Sequence, residues 1–383
     1  MGKVMEETPT AKLCIYCGAN NSMERSTCLV CHNAFVSEEE IARVQDEFFP
    51  VSHPPNVSRL ALSFEDENGF SYPDWKKVRE QLLQTVPKED WWDVYHELAK
   101  QWLLQLKEDL GGNYRCYESE DFLFLCDQGA AASRTILGYA EGALASLQKQ
   151  CGKLLVREAY GKRVILVFSD PDDYYAYISH FHTEGAHSLS SGMMLSGGGY
   201  LHIAFPLTWV FSTKGIITHE LVHNCIAHLR VPTWLHEGLA QKLERVALGR
   251  GFNLDRELAA RHYALWNEDN IQEFWSGASF YGPDERNTLS YSLALILVEL
   301  LANDWKGFLE FVSEADYRDA GQDAAVRVLE RCLGETIGGF LGPGNWRPHR
   351  KAIAEDHRSM RDRKNCSAAT LKLVISTKPE PSE

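Results

Sequence analysis

Ile216 to Lys242 reads IITHELVHNCIAHLRVPTWLHEGLAQK, and the rest of the chain is read outward from it. It holds His219-Glu220-x-x-His223 and, beyond a proline, Trp234-Leu235-His236-Glu237-Gly238. A helix turns about 100° per residue, so side chains four apart stand one turn above each other on the same face. Two imidazoles placed this way can grip one ion. The carboxylate next to the first, Glu220, overhangs the ion's open side, where it can take a proton from water. Ile216, Ile217, Leu221, Val222, Cys225 and Ile226 surround the polar triplet, which predicts a helix buried on nearly all sides. Polar groups buried there need a partner.

A catalytic zinc takes three protein ligands and leaves one position for water. The metzincin spacing would place Gly at 226 and His at 229, where this chain has Ile226 and Leu229. His228 follows His223 by five residues and points about 140° away from it. Glu237 is better placed. Pro232 cannot continue the first helix, Val231 before it is pushed toward extended backbone, and Thr233 is an acceptable N-cap for a second helix. A helical hairpin results, with Glu237 in the first turn of its second arm, able to face back toward the histidines. Other readings compete. His219 and His223 could be core histidines bonded to backbone carbonyls, but Glu220 would then be buried unpaired. Glu237 could simply complement the positive end of its own helix. His228 and His236 read as surface or supporting residues rather than ligands.

The joint pattern of HExxH followed by Trp234-Leu235-His236-Glu237-Gly238-Leu239-Ala240 resembles the gluzincin branch of the HExxH metallopeptidases, and more closely the peptidase MA-like families, with their W-L-x-E-G-x-A. The resemblance covers residues 117 to 342. It implies a zincin-like domain, a catalytic Zn2+ held by His219, His223 and Glu237, Glu220 as general base, and hydrolysis of peptide bonds. In such peptidases a small sheet precedes the active-site helix, and its edge strand lies along the cleft where a peptide can pair. A Tyr or His from a later helix often donates to the developing oxyanion. Tyr291, in a Y-S-x-A-x-x-L pattern, holds the matching place. A phenol suits that role as a neutral donor; a core tyrosine bonded to the backbone is the equal alternative.

The flanking sequence bounds the rest. The chain has 383 residues, 44% hydrophobic and 11% aromatic, enough for a packed core and for two or three domains. A net charge of −14 argues against broad nucleic-acid or anionic-membrane binding. No apolar run approaches the roughly 18 residues of a membrane span, and MGKVMEETPTAK has no apolar signal region, so a cytoplasmic location is expected. Gly2 does not fit a myristoylation signal, because position 6 is Glu.

Cys14, Cys17, Cys28 and Cys31 form two C-x2-C pairs ten residues apart, while the other six of the ten cysteines show no pairing pattern. In a reducing compartment such knuckles indicate a structural Zn2+ rather than disulfides, and so small a module has no sufficient core without metal. Residues 9–36 therefore resemble a zinc ribbon, which has few basic residues and is expected to dock a protein partner rather than nucleic acid.

Residues 37–115 read as a linker and helical region. Ser37 opens a short acidic helix with a capping box, Pro50, Pro54 and Pro55 break the chain, 57–64 form a short strand, and 72–110 carry helical patterning interrupted at Pro87 and closed by Gly111-Gly112. Trp91, Trp92, Tyr95 and Trp102 read as helix core rather than as a ligand platform. Residues 116–342 alternate: strands at 122–126 and 163–168, helices at 130–150 and from 171, and a glycine-rich turn at 197–199 entering an edge strand at 200–204. No GK[ST] follows those glycines, so they are not a phosphate cradle. Helices follow at 254–268, 287–303 and 305–340. Residues 343–383 form a C-terminal extension, partly disordered. The fold class expected is α+β, a mostly helical domain with a small mixed sheet and an N-terminal ribbon. Activity could be gated by a partner or by a lid at 180–199. The alternatives are another hydrolytic reaction at the same metal, an inactive zinc-stabilised scaffold whose ribbon docks a protein or nucleic-acid partner, and a ribbon protein that binds nucleic acid.

Overall fold

The computed structural model describes residues 11–13, 20–22, 24–29, 62–155, 160–181, 191–207, 213–282 and 284–355. At the N-terminus β1 (Ala11–Leu13) and β2 (Asn20–Ser22) pair antiparallel. Cys28 is buried beside them, and its Sγ accepts from Asn21 Nδ2 at 3.5 Å. Cys14, Cys17 and Cys31 lie outside the described residues, as do the acidic helix expected after Ser37 and residues 356–383.

Asn68 and Gly69, both at positive φ, turn the hairpin of β3 (Phe64–Glu67) and β4 (Phe70–Pro73). The expected strand at 57–64 thus begins at its last residue; 57–61 are outside the described set. Two helices follow, α1 (Trp75–Thr85), capped by Asp74, and α2 (Trp91–Leu110), ended by Gly111 at φ 64. Pro87 separates them, since it cannot donate to a helical bond.

The sheet order is β5 (Arg115–Glu118), β6 (Phe122–Cys126), β7 (Arg163–Phe168), β9 (Tyr200–Pro206), β8 (Met193–Gly197), with the three middle strands parallel and both outer ones antiparallel. β6 and β7 are apolar at nearly every position because both faces are covered. The strand starting at Tyr200 is not the edge: it lies between β7 and β8, and Gly198-Gly199, at φ 55 and 92, turns the chain between β8 and β9. The edge on that side, β8, shows no clean alternation, since only Leu195 of MMLSG is buried. β5 escapes notice because four residues carry too little pattern.

Alternation splits the sheet into two cores. Phe122, Phe124, Ile165, Val167, Ile203 and Phe205 face α3 (Ala130–Cys151) and the later helices. Leu123, Leu125, Val164, Leu166, Phe168 and Ala204 face α1, α2 and α4 (Pro171–Ser179). Residues 62–110 of the segment expected as linker and helical region therefore supply part of the second covering layer of the sheet. Tyr95 and Trp102 are fully buried there, whereas Trp92 is exposed and stacks on His96 at 5.1 Å.

The chain is α+β, a mixed sheet between helical layers. Its second half contains α5 (Thr213–Ile226), α6 (Thr233–Ala247), α7 (Arg256–Leu265), α8 (Ile271–Ser276), α9 (Glu285–Leu301), α10 (Trp305–Glu314), α11 (Gln322–Leu329) and α12 (Leu333–Leu341). Packing continues beyond residue 342: Trp346 and Ile353 join the core, and Trp275 Nε1 donates to the Trp346 carbonyl at 2.9 Å. Among the described residues no helix is long and apolar enough to cross a membrane.

His202, on β9, is 2% exposed, bonded through Nε2 to the Tyr177 hydroxyl at 2.9 Å, with Trp102 edge-on at 5.1 Å. Burial, and then the charge of His180, pushes its pKa down to about 3. The unfolded chain, with His near 6.5, binds this proton first, so the stabilisation is complete above about pH 6.5 and falls on acidification toward pH 3 by up to ~1.4 kcal/mol per unit. Burial likewise holds His262 down to about 4. Urea unfolding at pH 7 and pH 5 is expected to show a smaller stability difference in His202→Phe than in wild type; equal differences would refute the buried neutral imidazole.

Candidate metal centre

α5 is enclosed by α3, α6, β8 and β9, and its Ile217, Leu221, Val222, Cys225 and Ile226 are fully buried. At its C-terminal end the buried Arg163, from the start of β7, donates through Nε to Asn224 at 2.9 Å and ties the helix to the sheet. The turn to α6 passes through Pro232, which serves as the N-cap position with no side-chain bond. Thr233, expected as that cap, is the first helical residue and packs instead against Gly277, where a Cβ would come within 2.5 Å of Thr233 Oγ1. Trp234, wholly buried, donates its Nε1 to the Ala320 carbonyl at 3.0 Å and anchors the start of α6.

This hairpin brings His219, His223 and Glu237 together. Glu237 Oε2 lies 3.4 Å from His219 Nε2 and 3.4 Å from His223 Nε2, and the three ligand atoms all fall within 4.8 Å of one another. Donors around a tetrahedral ion with bonds of roughly 2.0–2.1 Å are about 3.4 Å apart, so the trio fits a small divalent cation. Among the described residues it is the one group of three or more His, Cys, Asp or Glu side chains placed to hold a metal. Burial opposes ionisation of Glu237, yet the two histidines hold its carboxyl well below the usual range. Burial also opposes charge on His219, but bonds to Glu237 and Glu244 raise it well above 6.5. The carboxylates beside the two imidazoles thus favour positive charge at this point, which a cation can supply in place of those protons.

Glu220 stands outside the trio. Burial pushes its carboxyl up, the two histidines oppose this, and the Met194 backbone N–H of β8 donates to it. Gly192 makes room: a Cβ there would sit 2.6 Å from Ile216 Cγ2 and 3.6 Å from Glu220 Cγ. A carboxyl held beside the trio but outside it is placed to accept and return a proton.

Tyr291 lies on α9, half-buried, edge-on to Phe280 at 5.2 Å, with its carbonyl held by Gln241 of α6 at 2.8 Å. Burial and then the charge of Glu237 raise its phenol pKa, and Glu220 adds to the same effect. Tyr281 is a second phenol at the site. The residue is 62% exposed, and burial followed by the charge of Glu237 raises its phenol pKa. Sequence reasoning missed it, since a tyrosine in a short 3-10 turn carries no signal.

It also missed Glu244, whose Oε2 is 3.2 Å from His219 Nδ1. The spacing of seven from Glu237 was the available clue, because two helical turns return to the same face. His236 stacks on His223, ring centroids 4.4 Å apart and planes 15° apart, while His228 is exposed. His180 pairs with Glu67 at 2.6 Å on the other side of the sheet. His182, His187 and the rest of 182–190 in the expected lid lie outside the described residues, whereas 193–197 of that stretch is the strand β8.

The Gly238 in the motif is where α6 crosses α9: a Cβ would meet the Ala294 carbonyl oxygen at 2.5 Å and Val298 Cγ2 at 2.7 Å. Gly238→Ala is expected to cost about 1–3 kcal/mol by forcing the helices apart, and to weaken metal retention by moving Glu237. An unchanged urea midpoint would contradict this.

No protein-family model matches this chain, and no curated protein matches it significantly.

Proposed function

We propose that the chain is a zinc-dependent peptidase of the gluzincin, zincin-like type. The observation that supports this most is Glu220: a buried carboxylate beside the His219, His223 and Glu237 trio but not part of it, touched by the backbone of an edge strand. A site that only held a structural ion would have no use for it. Two imidazoles and one carboxylate suit zinc among the available divalent ions. A cation bound there supplies a Lewis acid for the scissile carbonyl and makes water nucleophilic near neutral pH.

The remaining work falls to the chain. Glu220 takes a proton from the attacking water as its oxygen bonds to the carbonyl carbon. It returns that proton to the amine nitrogen as the C–N bond breaks, so acid and base are one residue. Tyr291 or Tyr281 donates to the oxyanion. The free side of β8 offers backbone groups with which an extended peptide can pair.

Elemental analysis combined with a peptide-hydrolysis assay tests the reading. Wild type is expected to hold two zinc ions, one of them lost in Glu237→Ala and the other in Cys14→Ser/Cys17→Ser. Zinc content unaffected by Glu237→Ala would overturn the catalytic site. Zinc bound without hydrolysis of any peptide library would turn the reading to the scaffold.

A further inference from the structure

The two histidines of the trio are supported in different ways. His219 turns its Nδ1 toward Glu244 Oε2 at 3.2 Å, and Glu244 sits on α6, two helical turns beyond Glu237. His223 has no such carboxylate: its Nδ1 is buried and, among the described residues, without a hydrogen-bond partner. Its ring is instead covered by His236 in near-parallel contact, 4.4 Å between centroids.

We propose that Glu244 and His236 are positioning residues for the metal centre, Glu244 setting the tautomer and basicity of His219 by hydrogen bonding, and His236 fixing the ring plane of His223 by stacking. This rests on the metal reading above. A carboxylate that accepts from Nδ1–H leaves the Nε2 lone pair facing Glu237 and makes it a stronger donor. A ring with no hydrogen bond at Nδ1 is held on one side only, and a flat neighbour at van der Waals contact restricts its rotation about Cβ–Cγ. Glu237, Glu244 and His236 all belong to α6, so one helix delivers a ligand and both supports. The packing that seats α6, through Trp234 and Gly238, orients the whole centre at once.

The 383-residue chain, stripped of metal and titrated with Co2+ against a chelating dye, separates the possibilities, with the visible spectrum of bound cobalt reporting ligand geometry. Glu244→Ala is expected to weaken binding about 10–100-fold and to alter the spectrum. His236→Ala is expected to weaken it about 3–10-fold, and His236→Phe, which keeps a flat ring but no nitrogen, to stay within about 2-fold of wild type. Thermal unfolding of each metal-free variant shows whether the fold is intact. Variants that lose metal-free stability but bind cobalt as wild type does would overturn the proposal, because the residues would then be structural only. His236→Phe as weak as His236→Ala would overturn the stacking role. A wild-type chain that binds no cobalt at this centre would instead overturn the metal reading itself.

Discussion

Glu220→Gln is expected to abolish peptide hydrolysis while leaving zinc in place. The amide keeps the shape of the carboxylate and can still accept from the Met194 N–H, so the strand and helix around it need not move. What it cannot do is take a proton from water or hand one to a departing amine. General acid–base catalysis contributes about 10^2–10^4-fold, and here one residue serves both steps, so the loss belongs at the upper end. The fall should appear in kcat with KM little changed, as for an interaction used only in the transition state. Retention of more than a tenth of wild-type kcat, with zinc still bound, would show that Glu220 is not the base.

Trp234→Ala carries the largest expected loss of stability. Its indole is wholly buried among Phe274, Trp275 and Phe311, and its Nε1 is bonded to the Ala320 carbonyl. Truncating a buried tryptophan costs about 3–5 kcal/mol. The Ala320 carbonyl, on a residue at φ 57, would also lose its partner. Trp234→Phe restores most of the bulk but not the donor, so it should cost less than the alanine variant. The site should weaken as well, since Trp234 seats the turn from which Glu237 projects. A urea midpoint for Trp234→Ala corresponding to less than 1 kcal/mol of loss would refute this anchoring role.

Helices were legible where a period ran long or a breaker marked an end. Pro87, Gly111 and Pro232 set boundaries of α1, α2 and α6 that local backbone chemistry dictates. β6 and β7 stood out as unbroken apolar runs because strands covered on both faces have no polar side to show. β8 was hidden by its own exposure: an edge strand of Met, Ser and Gly, buried only at Leu195, lacks the alternation that marks a strand. Sequence pattern therefore points to β9 as the edge, one strand too far inward. Residues 343–355 looked like an extension since Pro343, Arg347 and Arg350 dominate their composition, whereas two residues, Trp346 and Ile353, are what pack.

At the candidate site, the sequence by itself determined the residues that covalent spacing places together. His219 and His223 share a helix face through the period of the helix. Glu237 follows across a turn that Pro232 makes unavoidable. Tertiary structure alone decided what lies around them: Glu244 on His219, His236 flat on His223, Tyr281 beside Glu237, and Met194 of β8 on Glu220. Those contacts depend on how α6 crosses α9 and how β8 folds back on β9. Packing in three dimensions sets such distances, and periodicity along one chain does not report them.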